Sequence, residues 1–263
     1  MIGSQWRCIH ASVAGTAHIR TGVGCQDASV YKIIPHDDES LLVVIASDGA
    51  GSAREAATGA TRLCSIFLNE ITTYFEQGGR IEDIERKTVI HWLQSFQKEI
   101  EYLAQEMGLM LRDFACTLLG AIIGNSRSIF FQIGDGTIVT SRPQDPDEYG
   151  WVFWPQRGEY VNCTYFATDL DAEKILQFDV ATFYIDEVAI LTDGLENLAL
   201  HYQSRTVHNP FFRTLFSPLR TASNESLEKL TVSLINFLNS PRVNERTDDD
   251  KTLILATRRL TKC

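Results

Sequence analysis

The chain of 263 residues carries 24 lysine and arginine side chains against 34 aspartate and glutamate, a formal charge of −10 at pH 7. Hydrophobic residues at 44% and charged residues at 22% are ordinary globular values, which excludes a disordered or fibrous chain. The acidic balance argues against non-specific nucleic-acid binding, and no run approaches the ~18 apolar residues that would span a bilayer. The first residues, through Arg7, lack the charged and then apolar pattern of a secretory signal, so a cytoplasmic location is expected. Six cysteines (Cys8, Cys25, Cys64, Cys116, Cys163 and Cys263) lie far apart without a CxxC pair, and are expected to be free thiols rather than disulfides or zinc ligands.

Three strands are predicted first, over 6–13, 29–34 and the apolar run 41–46. Two helices follow. In 54–75 the apolar residues Ala56, Ala60, Leu63, Phe67, Ile71 and Tyr74 recur every three or four positions, and in 83–107 Val89, Leu93, Phe96, Ile100, Leu103 and Met107 do the same. Strands are predicted again over 117–123, 128–133, 137–141, 151–154 and 188–192. A helix over 226–238 and a strand over 252–256 close the chain, with irregular stretches near 142–150 and 201–225. There is no repeat, low-complexity tract or long linker, so residues 1–263 read as one domain. The order of elements predicts an α+β protein with sheet and helices in separate layers, its strands paired antiparallel through short connections.

Aspartates stand at strand ends. Asp48 follows 41–46 in Ser47-Asp48-Gly49-Ala50-Gly51, Asp135 follows 128–133 in Gly134-Asp135-Gly136, and Asp193 follows 188–192 in Thr192-Asp193-Gly194-Leu195. Two further acids precede strands: Asp27 before 29–34, and Asp248-Asp249-Asp250 before 252–256. In an antiparallel sheet the end of one strand lies beside the start of its neighbour, so these carboxylates can gather on one rim. Asp-Gly is also a favoured turn dipeptide, and each pair taken alone reads as a turn. Taken together, crowded carboxylates need protons or cations, and an all-oxygen set suits Mg²⁺ or Mn²⁺. There is no phosphate-binding GxxxxGK[ST] loop and no GxSxG nucleophile elbow.

In their order, these motifs resemble the metal-dependent protein phosphatases of the phosphatase 2C type, and most of all their compact bacterial branch. Gly22-Val23-Gly24-Cys25-Gln26-Asp27 resembles the first motif, Asp48-Gly49-Ala50-Gly51 the Asp-Gly-x-Gly motif, and Cys116-Thr117-Leu118-Leu119-Gly120 the buried Thr-rich strand. Gly134-Asp135-Gly136, Thr192-Asp193-Gly194 and Asp249-Asp250-Lys251-Thr252 follow in family order, so the match spans about residues 12 to 256.

The resemblance implies a four-layer αββα sandwich, two antiparallel sheets flanked by helices, with two Mn²⁺ or Mg²⁺ ions at one end. Asp48 would bridge both ions with the Gly49 carbonyl on the first. Asp193 and Asp249 would serve the second, Asp27 would act through metal-bound water or hydrogen bonds, and Asp135 would support the site. Gly22 stands where the family grips phosphate with arginine, leaving His18, Arg20 and Arg54 as candidates for that contact. Ala50 stands where many relatives carry a histidine, Gln26 replaces a glutamate, and residues 159–162 are what remains of a substrate flap. The activity implied is hydrolysis of phosphoserine and phosphothreonine in proteins, opposing a Ser/Thr kinase, by a monomer that binds neither nucleic acid nor membrane. The alternative is a non-catalytic phosphoprotein-binding or regulatory module on the same fold. Such a module would be expected to lose Asp48, Asp193 or Asp249, and all three are present.

Overall fold

The structure is a computed structural model that describes residues 6–36, 39–142, 144–145, 147–156 and 164–259. In chain order it runs β1 (Arg7–Val13), α1 (Thr16–Thr21), β2 (Ala28–His36), β3 (Glu39–Ser47), α2 (Ala56–Glu76), α3 (Arg86–Met107), β4 (Leu118–Ile123), β5 (Ser128–Ile133), β6 (Thr137–Ser141) and β7 (Tyr149–Trp151). Then come α4 (Ala172–Ile175), β8 (Gln177–Ala181), β9 (Glu187–Leu191), α5 (Glu196–Ala199), β10 (Leu200–His201), β11 (Thr206–Val207), α6 (Asn209–Arg220), α7 (Asn224–Leu238), α8 (Pro241–Asn244) and β12 (Lys251–Thr257). One five-stranded sheet has the order β2-β3-β4-β5-β8 and the other β1-β12-β9-β6-β7, with antiparallel pairing throughout both.

The apolar runs explain the layers. Along β3, Leu41, Val43 and Ile45 pack against α2 and α3, while Leu42, Val44 and Ala46 face the opposite sheet. Along β12, Leu253 and Leu255 face α6 and α7, while Ile254 and Ala256 meet β3 and β4 residues between the sheets. Central strands buried on both faces need no polar alternation, which is why they read as continuous hydrophobic stretches. The result is the expected α+β sandwich of four layers: helices, sheet, sheet, helices. The helix over Ala56–Glu76 buries Ala60, Leu63, Phe67 and Ile71, and the one over Arg86–Met107 buries Val89, Leu93, Phe96 and Ile100. Glu85 and Thr88 cap the start of α3 reciprocally, and Gly108, at φ 66°, ends it.

Several expectations shift. The strand expected over 151–154 lies at Tyr149–Trp151, because Tyr149 pairs with Ser141 and buries its ring against Phe212 and Phe216. The stretch 201–225, expected to be irregular, contains α6. Its Phe212, Phe216 and Leu219 form a buried stripe that Pro210 and Pro218 mask in the sequence. Neither α1, which buries no side chain, nor the edge strand β8, which buries only Ala181, carries a pattern strong enough to read alone. No helix among the described residues is long and apolar enough to cross a membrane.

Candidate metal centre

Asp48 follows β3, Asp193 opens a single 3₁₀ turn after β9, and Asp135 sits in the connection that carries β5 of one sheet into β6 of the other. Asp27 immediately precedes β2, the partner of β3, and Asp249 and Asp250 precede β12, the partner of β9. Strand ends thus meet strand starts at one end of the sandwich. Asp48, Asp135 and Asp193 each bring a carboxylate oxygen within 4.8 Å of the others. A cavity of about 350 Å³ opens over them, and His18, Gly49, Phe166 and Asp249 also line it.

The glycines after Asp48 and Asp193 do not have the positive φ of an Asp-Gly turn. They mark close approach of other backbone. A Cβ at Gly194 would stand 1.9 Å from the Asp250 carbonyl oxygen, and one at Gly49 would stand 2.7 Å from backbone atoms of Ala56 and Gln26. The turn reading therefore fails for these two pairs, because each glycine lets two acid-bearing segments touch.

Supporting bonds fix the carboxylates. The Thr117 hydroxyl accepts the Asp48 amide at 2.9 Å, and the Thr117 amide donates to the Asp48 carbonyl at 2.8 Å. Thr192 donates its hydroxyl to Oδ2 of buried Asp27 at 2.8 Å, and Thr164 donates to Asp135. Asp250 is buried and collects the amides of Gly15 and Gln26, each at 2.6 Å, and Nδ1 of His18 at 2.9 Å. Helix α1, which carries His18, is tied down by this bond and by the Ala17 amide on the Asp248 carbonyl at 2.9 Å.

Electrostatically the cluster is unfavourable as bare carboxylates. Burial first, and then the neighbouring Asp250 and Asp193, push the Asp27 carboxyl up to about 7, against the pull of hydrogen bonds from Thr192 and Thr252. Burial and the charges of Asp135 and Asp249 push Asp193 up to about 7. Asp48 is raised well above the usual carboxylate range by burial, then Asp27 and Asp193. Oδ1 of Asp27 and Oδ1 of Asp193 are buried and have no hydrogen-bond partner among the described residues. Crowded oxygen donors with two orphaned atoms fit a hard divalent cation, whose charge removes the repulsion.

Of the candidates for the phosphate contact, only His18 lines the cavity. Arg20 is exposed and pairs with Asp248 at 3.4 Å, and Arg54 is exposed ahead of α2. Residues 159–162 lie outside the described residues, as do Cys163 and Cys263. Cys8, Cys25, Cys64 and Cys116 are free, and burial lifts all four thiols, Cys25 and Cys116 to about 12, so none is a nucleophile at neutral pH. The sequence reading missed Asp250 as the partner of His18, Thr164 as the partner of Asp135, and Phe166 as a wall of the cavity. The Asp249-Asp250 doublet was the one available signal, since two adjacent acids before a strand cannot both face the same way.

The chain belongs to the protein phosphatase 2C family, whose model matches residues 14–234, and so to the phosphoprotein phosphatases that depend on metal. It is 38% identical over 256 residues to serine/threonine-protein phosphatase 3 of Escherichia coli (strain K12), across 96% of this chain and 98% of that protein. Among solved structures, a bacterial serine phosphatase superposes with a TM-score of 0.62 at 14% identity, covering 98% of this chain and all (100%) of that one. Stp1 of Staphylococcus aureus gives 0.59 at 13% identity, over 97% and 96% of the two chains. These two structures speak to the fold alone.

Proposed function

We propose that this chain removes phosphate from phosphoserine and phosphothreonine in proteins, opposing a Ser/Thr kinase, and that it works with two Mn²⁺ or Mg²⁺ ions. The observation that carries the reading is the meeting of Asp48, Asp135 and Asp193 within 4.8 Å in one cavity. Asp48, the Gly49 carbonyl, Asp193 and Asp249 would hold the ions, with Asp135 in support. When bound, such ions neutralise a phosphomonoester dianion and lower the pKa of water enough to make it a nucleophile.

The chain's own groups do the rest. Asp27, buried and held by the Thr192 hydroxyl at 2.8 Å, fixes the β2 start against the β9 end. His18 is the imidazole on the cavity wall, and an imidazole can donate and accept a proton without being a ligand. With Nδ1 held by Asp250, Nε2 is left to face the substrate, and a proton on it would pass to the departing seryl or threonyl oxygen. Phe166 and Thr164 close one side of the cavity and limit water there.

The test compares hydrolysis of an aryl phosphate and a phosphothreonine peptide in EDTA, Mg²⁺ and Mn²⁺. Turnover that needs an added ion is expected. Full activity in EDTA, or activity with zinc alone, would overturn the reading, and binding of phosphopeptide without turnover would favour the non-catalytic alternative.

A further inference from the structure

A second concavity, of about 370 Å³, lies where α5, β10, α6, α7 and α8 converge. Its volume is within the range of ligand cavities, about 300–1,000 Å³. Leu198, Phe211, Leu215 and Phe237 give it an apolar interior. Its rim is cationic: Arg242 and Arg246 are exposed there, and among the described residues neither side chain has an ion-pair or hydrogen-bond partner. His201 and His208 complete the rim, with Nε2 of the first 2.9 Å from Nδ1 of the second. Whichever nitrogen carries the bridging proton, one outer nitrogen of the pair remains a donor. Among the described residues no carboxylate lines the concavity, in a chain whose formal charge is −10.

The place of this concavity relates it to the acid cluster. Asn197, on its edge, comes four residues after Asp193 through continuous helical turns, a rise of roughly 6–8 Å. Arg246 comes three residues before Asp249, at most about 11 Å of chain. The same two loops that present Asp193 and Asp249 therefore continue into the apolar, cationic concavity.

We infer that this is a docking pocket for the protein substrate, taking a bulky apolar side chain within an acidic segment that flanks the phosphorylated residue. The inference rests on the phosphatase reading above. Charge complementarity selects the acidic segment, the apolar interior selects the side chain, and proximity lets one peptide reach both places.

The probe is a fluorescent, unphosphorylated peptide with a phenylalanine among glutamates, and the readout is anisotropy with the metal-free full chain. Binding is expected, about tenfold weaker or more when phenylalanine becomes serine. It should also be roughly tenfold weaker for Arg242→Glu/Arg246→Glu, where two attractive rim contacts become repulsive. Thr214→Trp places an indole in the concavity from an exposed position of α6 and should block the peptide with the rim charges intact. On a phosphothreonine peptide with the same flank, both variants should raise KM and keep kcat, and both should hydrolyse p-nitrophenyl phosphate like the parent. Equal peptide affinity for parent and variants would overturn the pocket while leaving the phosphatase reading intact. Loss of aryl phosphate hydrolysis in the parent would instead overturn that reading. Tighter binding of a free aromatic acid than of the peptide, or self-association abolished by Thr214→Trp, would replace the substrate with a small anion or a second copy of the chain.

Discussion

Asp48 and Asp193 are held in a form that the folded, metal-free chain resists. The ordinary carboxyl value is 3.8, and burial with neighbouring acids lifts Asp193 to about 7 and Asp48 well above its usual range. A raised acid favours its protonated form in the fold. For Asp193 the stabilising contribution is fully present below about pH 4 and is lost as pH rises through about 7, and for Asp48 it likewise falls as pH rises above the ordinary carboxyl value. Asp48→Asn and Asp193→Asn should therefore unfold in EDTA at the same temperature as the parent at pH 4, and at a higher one by pH 7 to 8. Both should lose most Mn²⁺-supported turnover. Near-parental turnover in Asp48→Asn would reduce that residue to a structural role. His18 is tested by leaving group. His18→Gln should slow hydrolysis of a phosphothreonine peptide by about 10²–10⁴-fold, the usual worth of general acid catalysis, and that of p-nitrophenyl phosphate far less. An equal loss on both substrates would show that His18 binds phosphate or supports the fold instead of giving a proton.

Among the elements, α6 is fastened to the second sheet by ions as well as by its apolar stripe. Glu187 on β9 is fully buried and receives Nε and Nη2 of Arg220, both at 2.7 Å, the Tyr149 hydroxyl at 2.6 Å and the Thr257 hydroxyl at 3.0 Å. Such a network is costly to break from one side, because the remaining carboxylate stays buried without its partner. Arg220→Ala should lose roughly 3–5 kcal/mol of stability in urea unfolding, most of it recovered when Glu187→Gln is added. A loss under about 1 kcal/mol, the range of an exposed ion pair, would mean that water reaches Glu187. Because α6 also supplies Phe211 and Leu215 to the second concavity, the double variant separates scaffold effects from docking effects.

In the whole molecule, the acid cluster sits on the seam between the two sheets. Asp48 belongs to one sheet, Asp193 to the other, and Asp135 to the connection between them. Ions held there would tie the sheets together, so binding energy becomes folding stability. At a hundredfold excess over its Kd, each bound ion should add about 2.7 kcal/mol. For a chain of this size that raises Tm by roughly 5–10 °C. Calorimetry with and without EDTA checks this, and an equal rise in Asp48→Asn would place the ions elsewhere.

The sequence by itself determined the layers. Continuous apolar runs such as 41–46 and 252–256 had to be buried on both faces, and the three- and four-residue spacing from Ala56 to Ile71 had to lie on a sheet. It also placed aspartates at the ends and starts of strands, since strand boundaries are marked by the change from apolar to polar residues. The tertiary structure alone decided which of those acids share a cavity, because register and sheet order are set by packing between distant segments. It decided that Gly49 and Gly194 serve close backbone approach instead of turns, and that His18 points its ring to Asp250, 232 positions away in the chain. Helix α6 escaped the sequence reading because two prolines outweigh a three-residue stripe until that stripe has a sheet to bury against.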